Sequence, residues 1–512
     1  MKTAWTTRGL LMAVILAGVA LHASRQISVA ERIRTEALEH SAVMETALQL
    51  TDVSGPRLTG SESFNNAMAW AARRLRELGA VNVHTEPFDW GIRWSYSHMS
   101  LELVSPQPSP LLAYPITWSA GTPGRVTGDV FQTKADVGRF EESAFDEIFN
   151  EIRGRVRDKF VMVHAAIAVP VPPVNDAPVS RRFTDAELSA MEEPLPPPAA
   201  GGAEISSRLP YLLLELMQRL KAEGARGVLW RGSGGAGLVS VSTIAVTYRD
   251  AATPAPLPIV YVAVEHYNRL VRLMKAGGPV RVALDLEVQR SDAAVPGMNL
   301  IADFPGTTKP DEMVMLGAHL DSWPGATGAT DNAAGCAIVI EAARILRALR
   351  LETDRTVRVA LWGGEEGAGA GSRAYVKLHL RDGSGPPKPE AAKLFAYFNV
   401  DNGTGKIRGL YTDGYEGVGA TFRSWLVPLA GMGARTVSPQ RPTGIRSSDD
   451  GTFIDAGLPG FAFIQDPLDY SRTHHTNIDL YDRLQRDDLQ QAAAVTASIA
   501  YAAATHAALL RK

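Results

Sequence analysis

Five short stretches in the C-terminal half of the chain are rich in histidine and carboxylates. They are Gly317-Ala-His-Leu-Asp-Ser322, Thr330-Asp-Asn-Ala-Ala-Gly335, Trp362-Gly-Gly-Glu-Glu-Gly367, Asp401-Asn-Gly403 and Thr473-His-His-Thr-Asn-Ile-Asp479. Alone, each has a plain structural explanation. A His-x-Asp at a strand end is commonly a satisfied polar pair, adjacent glutamates usually form a solvated turn, Asp331 could cap the helix that follows it, and His475 could pack against His474. Their joint occurrence at successive strand ends points instead to one constellation. Crowded carboxylates raise one another's pKa unless a cation compensates. Neutral imidazole with carboxylate suits zinc. The lone cysteine, Cys336, excludes an internal disulfide, an iron–sulfur cluster and a cysteine-built zinc site. With only N and O donors on offer, two zinc ions sharing one bridging carboxylate fit better than one. Such pairs, ~3.5–4 Å apart, clamp a water nucleophile and polarise a carbonyl or phosphoryl group.

The elements that must carry these loops read as alternating strands and helices. Strands are predicted at Met313–Leu316, Val357–Leu361, Leu394–Val400 and Phe461–Ile464, and helices at Ala333–Leu349, Ser372–Leu380 and the Ala-rich Asp487–Leu510. That alternation implies a mostly parallel sheet flanked by helices. In such a sheet the carboxyl ends of the strands border one crevice, where ligands bind. Upstream, a helix is expected over Glu31–Leu50. A second, capped by Ser61 or Ser63, carries Phe64, Met68, Ala71, Leu75 and Leu78 at helical spacing and stops at Gly79. A strand follows at Val81–Trp90. From Ile116 to Val288 the texture changes to short β-rich runs with a few helices, and eight prolines between Pro170 and Pro198 predict an exposed loop or lid.

Composition bounds the remaining classes. The 512 residues are 45% apolar and 21% charged, which excludes wholesale disorder. The formal charge of −3 argues against a nucleic-acid partner. Lys2 and Arg8 precede an apolar run, Leu10–Ala23, in the manner of a secretory signal over residues 1–23, with an uncleaved anchor as the alternative. No later segment is apolar enough to span a membrane, so a secreted or periplasmic location is expected.

These clusters resemble the di-zinc exopeptidases, the zinc aminopeptidase/carboxypeptidase family that also contains the glutaminyl cyclases. The likeness runs from Gly55-Pro-Arg-Leu-Thr-Gly-Ser-Glu62 to the C-terminal helix. It is nearest to the plasma glutamate carboxypeptidase (carboxypeptidase Q) branch through Asp401-Asn-Gly-Thr404, Ala456-Gly-Leu-Pro-Gly460 and His474-His475. The middle region, with Lys221-Ala-Glu-Gly-Ala-Arg-Gly-Val228, is similar to an inserted protease-associated domain. The implied organisation is a peptidase domain in two parts, residues 24–115 and 291–512, around an insert at 116–290. That insert would contribute no catalytic residue and would cover the cleft or assist homodimerisation. The resemblance implies one zinc on His319 and Asp401, a second on Glu366 and His475, and Asp331 bridging. Glu365 becomes the base, Asp321 the residue orienting His319, and Ser448-Asp449 an element near the substrate pocket. Asn332 stands where some members carry a second aspartate. Tyr470 is read as a packing tyrosine, with an oxyanion role as its alternative. The implied activity is hydrolysis of terminal bonds of short peptides or dipeptides. A glutaminyl cyclase would share the fold but use a single zinc. An inactive binding module on the same fold would be expected to have lost ligands, whereas all five positions and the base are present here. A two-metal phosphoesterase is open to the ligand chemistry alone and is disfavoured by the motifs.

Overall fold

The computed structural model describes residues 28–139, 141–169, 180–194, 208–441 and 448–507. The signal-like segment at 1–23 lies outside them, as do parts of the proline-rich stretch. Fourteen strands form one sheet: β1 (Val81–Ser105), β2 (Ser109–Pro110), β3 (Ala113–Pro115), β4 (Val126–Gln132), β5 (Lys159–Met162), β6 (Gly227–Arg231), β7 (Ile259–Val262), β8 (Arg281–Phe304), β9 (Lys309–His319), β10 (Arg355–Trp362), β11 (Leu394–Asn399), β12 (Ile407–Tyr411), β13 (Thr436–Ser438) and β14 (Gly460–Gln465). The spatial order is β13-β12-β14-β11-β9-β10-β8-β4-β5-β6-β7-β3, with β1 lying along β8. The sheet is mixed. β14, β11, β9 and β10 run parallel at one end, and β4 to β7 run parallel at the other. The long antiparallel pair β1–β8 joins the two halves: β8 pairs with β10 through Leu300–Phe304 and with β4 through Arg281–Leu284.

Helices α1 (Val29–Glu39), α2 (Glu62–Glu77), α3 (Ala334–Ala348) and α4 (Arg486–Thr505) pack on the half that carries the histidine clusters. The expected helix at Glu31–Leu50 is interrupted. The Ser41 hydroxyl accepts the Val43 N–H and the Ala42 N–H turns to Glu341, so the chain leaves α1 at His40 and restarts. Ser61 is the cap of α2, its hydroxyl accepting the Phe64 N–H. α4 is buried on most sides by alanines, including Ala492, Ala493, Ala497 and Ala500, which let it lie close to α3.

The middle region is less β-dominated than its sequence texture suggests. Helices at Glu142–Ile152, Leu209–Ala222 and Val264–Lys275 alternate with β4–β7 in crossover fashion. The described part of the proline-rich stretch, 180–194, does not hang free. It forms a short helix at Asp185–Ala190, and the Arg182 guanidinium reaches Asp466, just after β14, and Asp488 on α4.

The expected strand at Val81–Trp90 is only the start of β1, and polar contacts secure its beginning. The His379 ring lies 3.1 Å from both Glu86 on β1 and Glu390. Those carboxylates, Glu390 first, raise the imidazole to about 9. A histidine in the unfolded chain titrates near 6.5, so the folded state holds this proton more tightly. The stabilisation is therefore complete below about pH 6.5 and is lost as pH rises through about 9. His379→Gln is expected to melt about 1–3 °C below the wild type at about pH 6 and to converge with it near pH 10, as read by thermal denaturation. An equal deficit at both pH values would remove the clamp from the account.

Candidate metal centre

Strand register brings the clusters to one place. His319 ends β9 and pairs with Trp362, the last residue of β10, while Asn399 of β11 pairs with Gly317. Glu365 and Glu366 follow β10 by three and four residues, and Asp401 follows β11 by two. Asp331 precedes α3, in a turn entered by Gly328 at φ 58°, a left-handed conformation that favours glycine. Gly335 lets the first turn of α3 approach closely, since a Cβ there would stand 2.3 Å from the Val400 carbonyl. The Asp331–Asn332 peptide is cis.

Asp331 is the centre of the geometry. One of its oxygens lies 3.2 Å from His319 Nε2, and the other lies 3.3 Å from His475 Nε2. His319 Nε2 is also 3.3 Å from Asp401, and His475 Nε2 is 2.9 Å from Glu366. Two donor groups result, His319/Asp401 and His475/Glu366, with Asp331 common to both. His474 stacks on His475 at 3.7 Å between ring centroids, with its Nε2 3.8 Å from Asp331, at the more exposed rim. Asp321 touches His319 chiefly through its backbone: its carbonyl lies 3.0 Å from His319 Nδ1, whereas its carboxylate is 3.5 Å away and accepts the Glu365 N–H. Cys336 is fully buried and donates its thiol to the His319 carbonyl, as a packing residue would. Burial pushes it up to about 12.

The electrostatics are those of an acid-rich crevice. Burial would raise Asp331, yet the imidazoles of His319 and His475 beside it hold it well below the carboxylate range. Burial would lower both imidazoles, but the carboxylates, led by Asp401 for His319 and by Glu366 for His475, keep them well above 6.5. Glu365 is pushed well above its ordinary value, first by burial and then by Asp401, Asp449 and Glu366, against the pull of His319. Burial also brings Glu366, Asp449 and Asp479 up to about 7. Tyr470 packs its ring over Gly403 and edge-on against His474.

The donor atoms fit metal ions. His319 Nε2, Asp331 Oδ2, Glu366 Oε1 and Asp401 Oδ1 are buried without a hydrogen-bond partner among the described residues. Such atoms are costly unless something else satisfies them. Zinc ligands stand 2.0–2.2 Å from the ion, so two of them on a tetrahedron are about 3.3–3.6 Å apart. The spacings around Asp331 are close to that edge length. Beside Asp331, Glu366 and His475 there is a cavity of about 10 Å³, with room for one water-sized sphere.

Residues 299–500 match the model of peptidase family M28. The chain carries an M28 peptidase domain. Carboxypeptidase Q of Mus musculus is 24% identical over 468 residues, covering 89% of this chain and 84% of the relative. Carboxypeptidase Q of Homo sapiens is 24% identical over 464 residues, with the same shares. Among solved structures, a peptidase M28 precursor from Shewanella amazonensis superposes with a TM-score of 0.69 at 25% identity, covering 94% of this chain and 98% of that one. BSAP, a zinc aminopeptidase from Bacillus subtilis, shares the fold at a TM-score of 0.56 and 19% identity, covering 90% and 94%. With the M28 match and the donor set, the chain is a metallopeptidase, a hydrolase.

Two residues of the centre have roles the motifs did not disclose. Asp479, a spacing landmark in sequence, accepts the N–H groups of Thr330 and Asp331 and so fixes the bridging loop. Arg57 is fully buried and donates to the carbonyls of Leu320, Thr327 and Gly328, stapling the loops on either side of His319 and Asp331. The first could have been suspected from its place in the Thr473–Asp479 cluster, the second only from its place in Gly55-Pro-Arg57. An ion at about 1,000 times its Kd stabilises a fold by about 4 kcal/mol. Excess zinc added to chelator-stripped protein is therefore expected to raise its melting temperature. Asp331→Ala, which takes a donor from both groups, should abolish most of that rise, and His319→Ala about half. Retention of the full rise in Asp331→Ala would exclude the shared carboxylate.

Proposed function

We propose that the chain is a secreted or periplasmic di-zinc exopeptidase that removes terminal residues from short peptides. The observation that carries this reading is the Asp331 carboxylate, shared between His319/Asp401 and His475/Glu366 with Glu365 beside it. The names of the relatives, a carboxypeptidase and an aminopeptidase, support action at a chain end. Residues 24–115 and 291–512 are read as the peptidase domain, and 116–290 as an insert that supplies β4–β7. The apolar run after Lys2 and Arg8 supports export. No helix among the described residues is long and apolar enough to cross a membrane.

In this reading the five ligands hold two zinc ions, which supply Lewis acidity to the scissile carbonyl and to the attacking water. The chain's own work is positioning and proton transfer. Glu365 and Glu366 are adjacent but have separate tasks. Glu366 is drawn to His475, while Glu365 has its N–H fixed by Asp321 and its carboxyl raised well above its ordinary range by burial and nearby acids. A carboxylate so raised is a stronger base than a solvated one, and proton transfer works best when the group's pKa lies near the working pH. Glu365 takes the proton of the attacking water and returns it to the leaving amine as the peptide bond breaks. Asp449, buried near Glu365, helps keep that carboxyl ready to hold a proton.

Glu365→Gln is expected to retain both metal ions and to lose kcat by about 10²–10⁴-fold. Near wild-type turnover would remove Glu365 from the mechanism. A panel of free dipeptides with their N-blocked and C-amidated forms reads the specificity: release of free amino acids from at least one free terminus is expected. Formation of pyroglutamyl products without hydrolysis would replace this reading by a cyclase.

A further inference from the structure

The two halves of the candidate centre are built from different parts of the chain. His319 and Asp401 stand on elements of the M28 domain and are braced by their neighbours. The Leu320 N–H donates to the Trp362 carbonyl, the Val400 N–H donates to Gly317, and the Asn332 side chain donates to Val400. Among the described residues, no hydrogen bond from segment 116–290 reaches His319 or Asp401.

The other half depends on that segment. His475 sits at φ 56°, a left-handed conformation uncommon outside glycine. The segment held against it is 237–241. The Val241 N–H donates to the His475 carbonyl at 3.0 Å, and the Asn477 N–H donates to the Val239 carbonyl at 3.0 Å. The Asn477 side chain closes the clasp, accepting the Val239 N–H at 2.8 Å and donating to the Gly237 carbonyl at 3.3 Å. Farther along the same loop, Arg181 pairs its backbone with Leu468 in both directions. The Glu366 side is reached as well. Arg249 lies flat over the Trp90 ring at 4.3 Å and donates to the carbonyl of Gly367, the residue after Glu366. A Cβ on Gly367 would collide with both Arg249 and Trp90, so the contact is tight.

We propose that Asn477 and Arg249 are positioning residues through which segment 237–249 sets the metal affinity of the His475/Glu366 half, leaving the His319/Asp401 half independent of it. The centre is then asymmetric: one ion is held by the M28 domain alone, and the other only when the middle region is seated against the histidine loop. This rests on the two-metal reading above. Residues that orient metal ligands without touching the ion commonly govern affinity by 10–100-fold, which sets the scale expected here.

Calorimetric zinc titration of the stripped full chain tests it, with wild type, Asn477→Ala, Arg249→Met and Arg249→Lys compared. Circular dichroism and melting in chelator check that each variant is folded. The wild type is expected to bind two ions. Asn477→Ala and Arg249→Met should keep one site at wild-type affinity and weaken the other about 10–100-fold. Arg249→Lys, which can still donate to Gly367, should recover part of the loss. His475→Ala should remove the same site that the two variants weaken, so that combining it with Asn477→Ala adds no further loss. Two sites of unchanged affinity in both variants, or two sites weakened alike, would overturn the inference. A wild type that binds fewer than two ions would overturn the two-metal reading itself, and this inference with it.

Discussion

The Asp331 carboxylate lies between two imidazoles, one oxygen facing each at 3.2 and 3.3 Å, and it is almost completely buried. A group shared in this way has no freedom to favour one side, so the loop that carries it must be fixed from several directions at once. Asp479 holds its amides, Arg57 holds the carbonyls just before it, and the close approach at Gly335 seats the following helix against β11. The strand order has the same purpose. By setting β10, β9 and β11 side by side and parallel, the fold places their ends within reach of one point.

Arg57 adds an electrostatic dimension. It is a fully buried cation that meets only carbonyl oxygens, behind a crevice lined by seven carboxylates if Asp321, Asp331, Glu365, Glu366, Asp401, Asp449 and Asp479 are taken together. Burial lowers its affinity for a proton, and the field of Asp479, Asp321 and Asp331 restores part of it. The guanidinium thus gains from the acids without competing for their lone pairs, which leaves those oxygens free to face the imidazoles. A lysine in its place, with three donors on one nitrogen, would have too few donors and the wrong shape for the carbonyls of Leu50, Leu320, Thr327 and Gly328.

The parts of this structure legible in sequence are those in which side-chain type reports backbone state. Met313–Leu316 and Leu394–Val400 are apolar runs that end abruptly in polar residues, and β9 and β11 are found there. The clusters of His319, Glu365-Glu366 and Asp401 reach the crevice because each follows a strand. β12 and β13 left no comparable signal: Ile407-Arg-Gly-Leu-Tyr411 is broken by a glycine, and Thr436–Ser438 is three residues long. β1 reads as a strand only to Trp90, because bulges near Gly91, Trp94 and His98 reset its alternation and its partner lies far along the chain. The clasp between 237–241 and the histidine loop is carried mostly by backbone amides, which any sequence possesses. Of its residues only Asn477 has a side chain suited to announce it.

The β1–β8 pair has an architectural consequence of its own. From Trp94 to Ser105, one edge of β1 is covered by the stretch of β8 between Arg281 and Arg290, while β2 pairs with its other edge at Glu102 and Leu103. Cutting the chain back to a minimal catalytic core by deleting 116–290 would strip that cover and leave a dozen residues of naked strand edge, apolar at Leu101 and Leu103, open to pairing with other molecules. The middle region therefore cannot be shed or exchanged as a bead on a string. A chain trimmed toward the compact form has to shorten β1 in the same step, which ties the length of this one strand pair to the size of the whole enzyme.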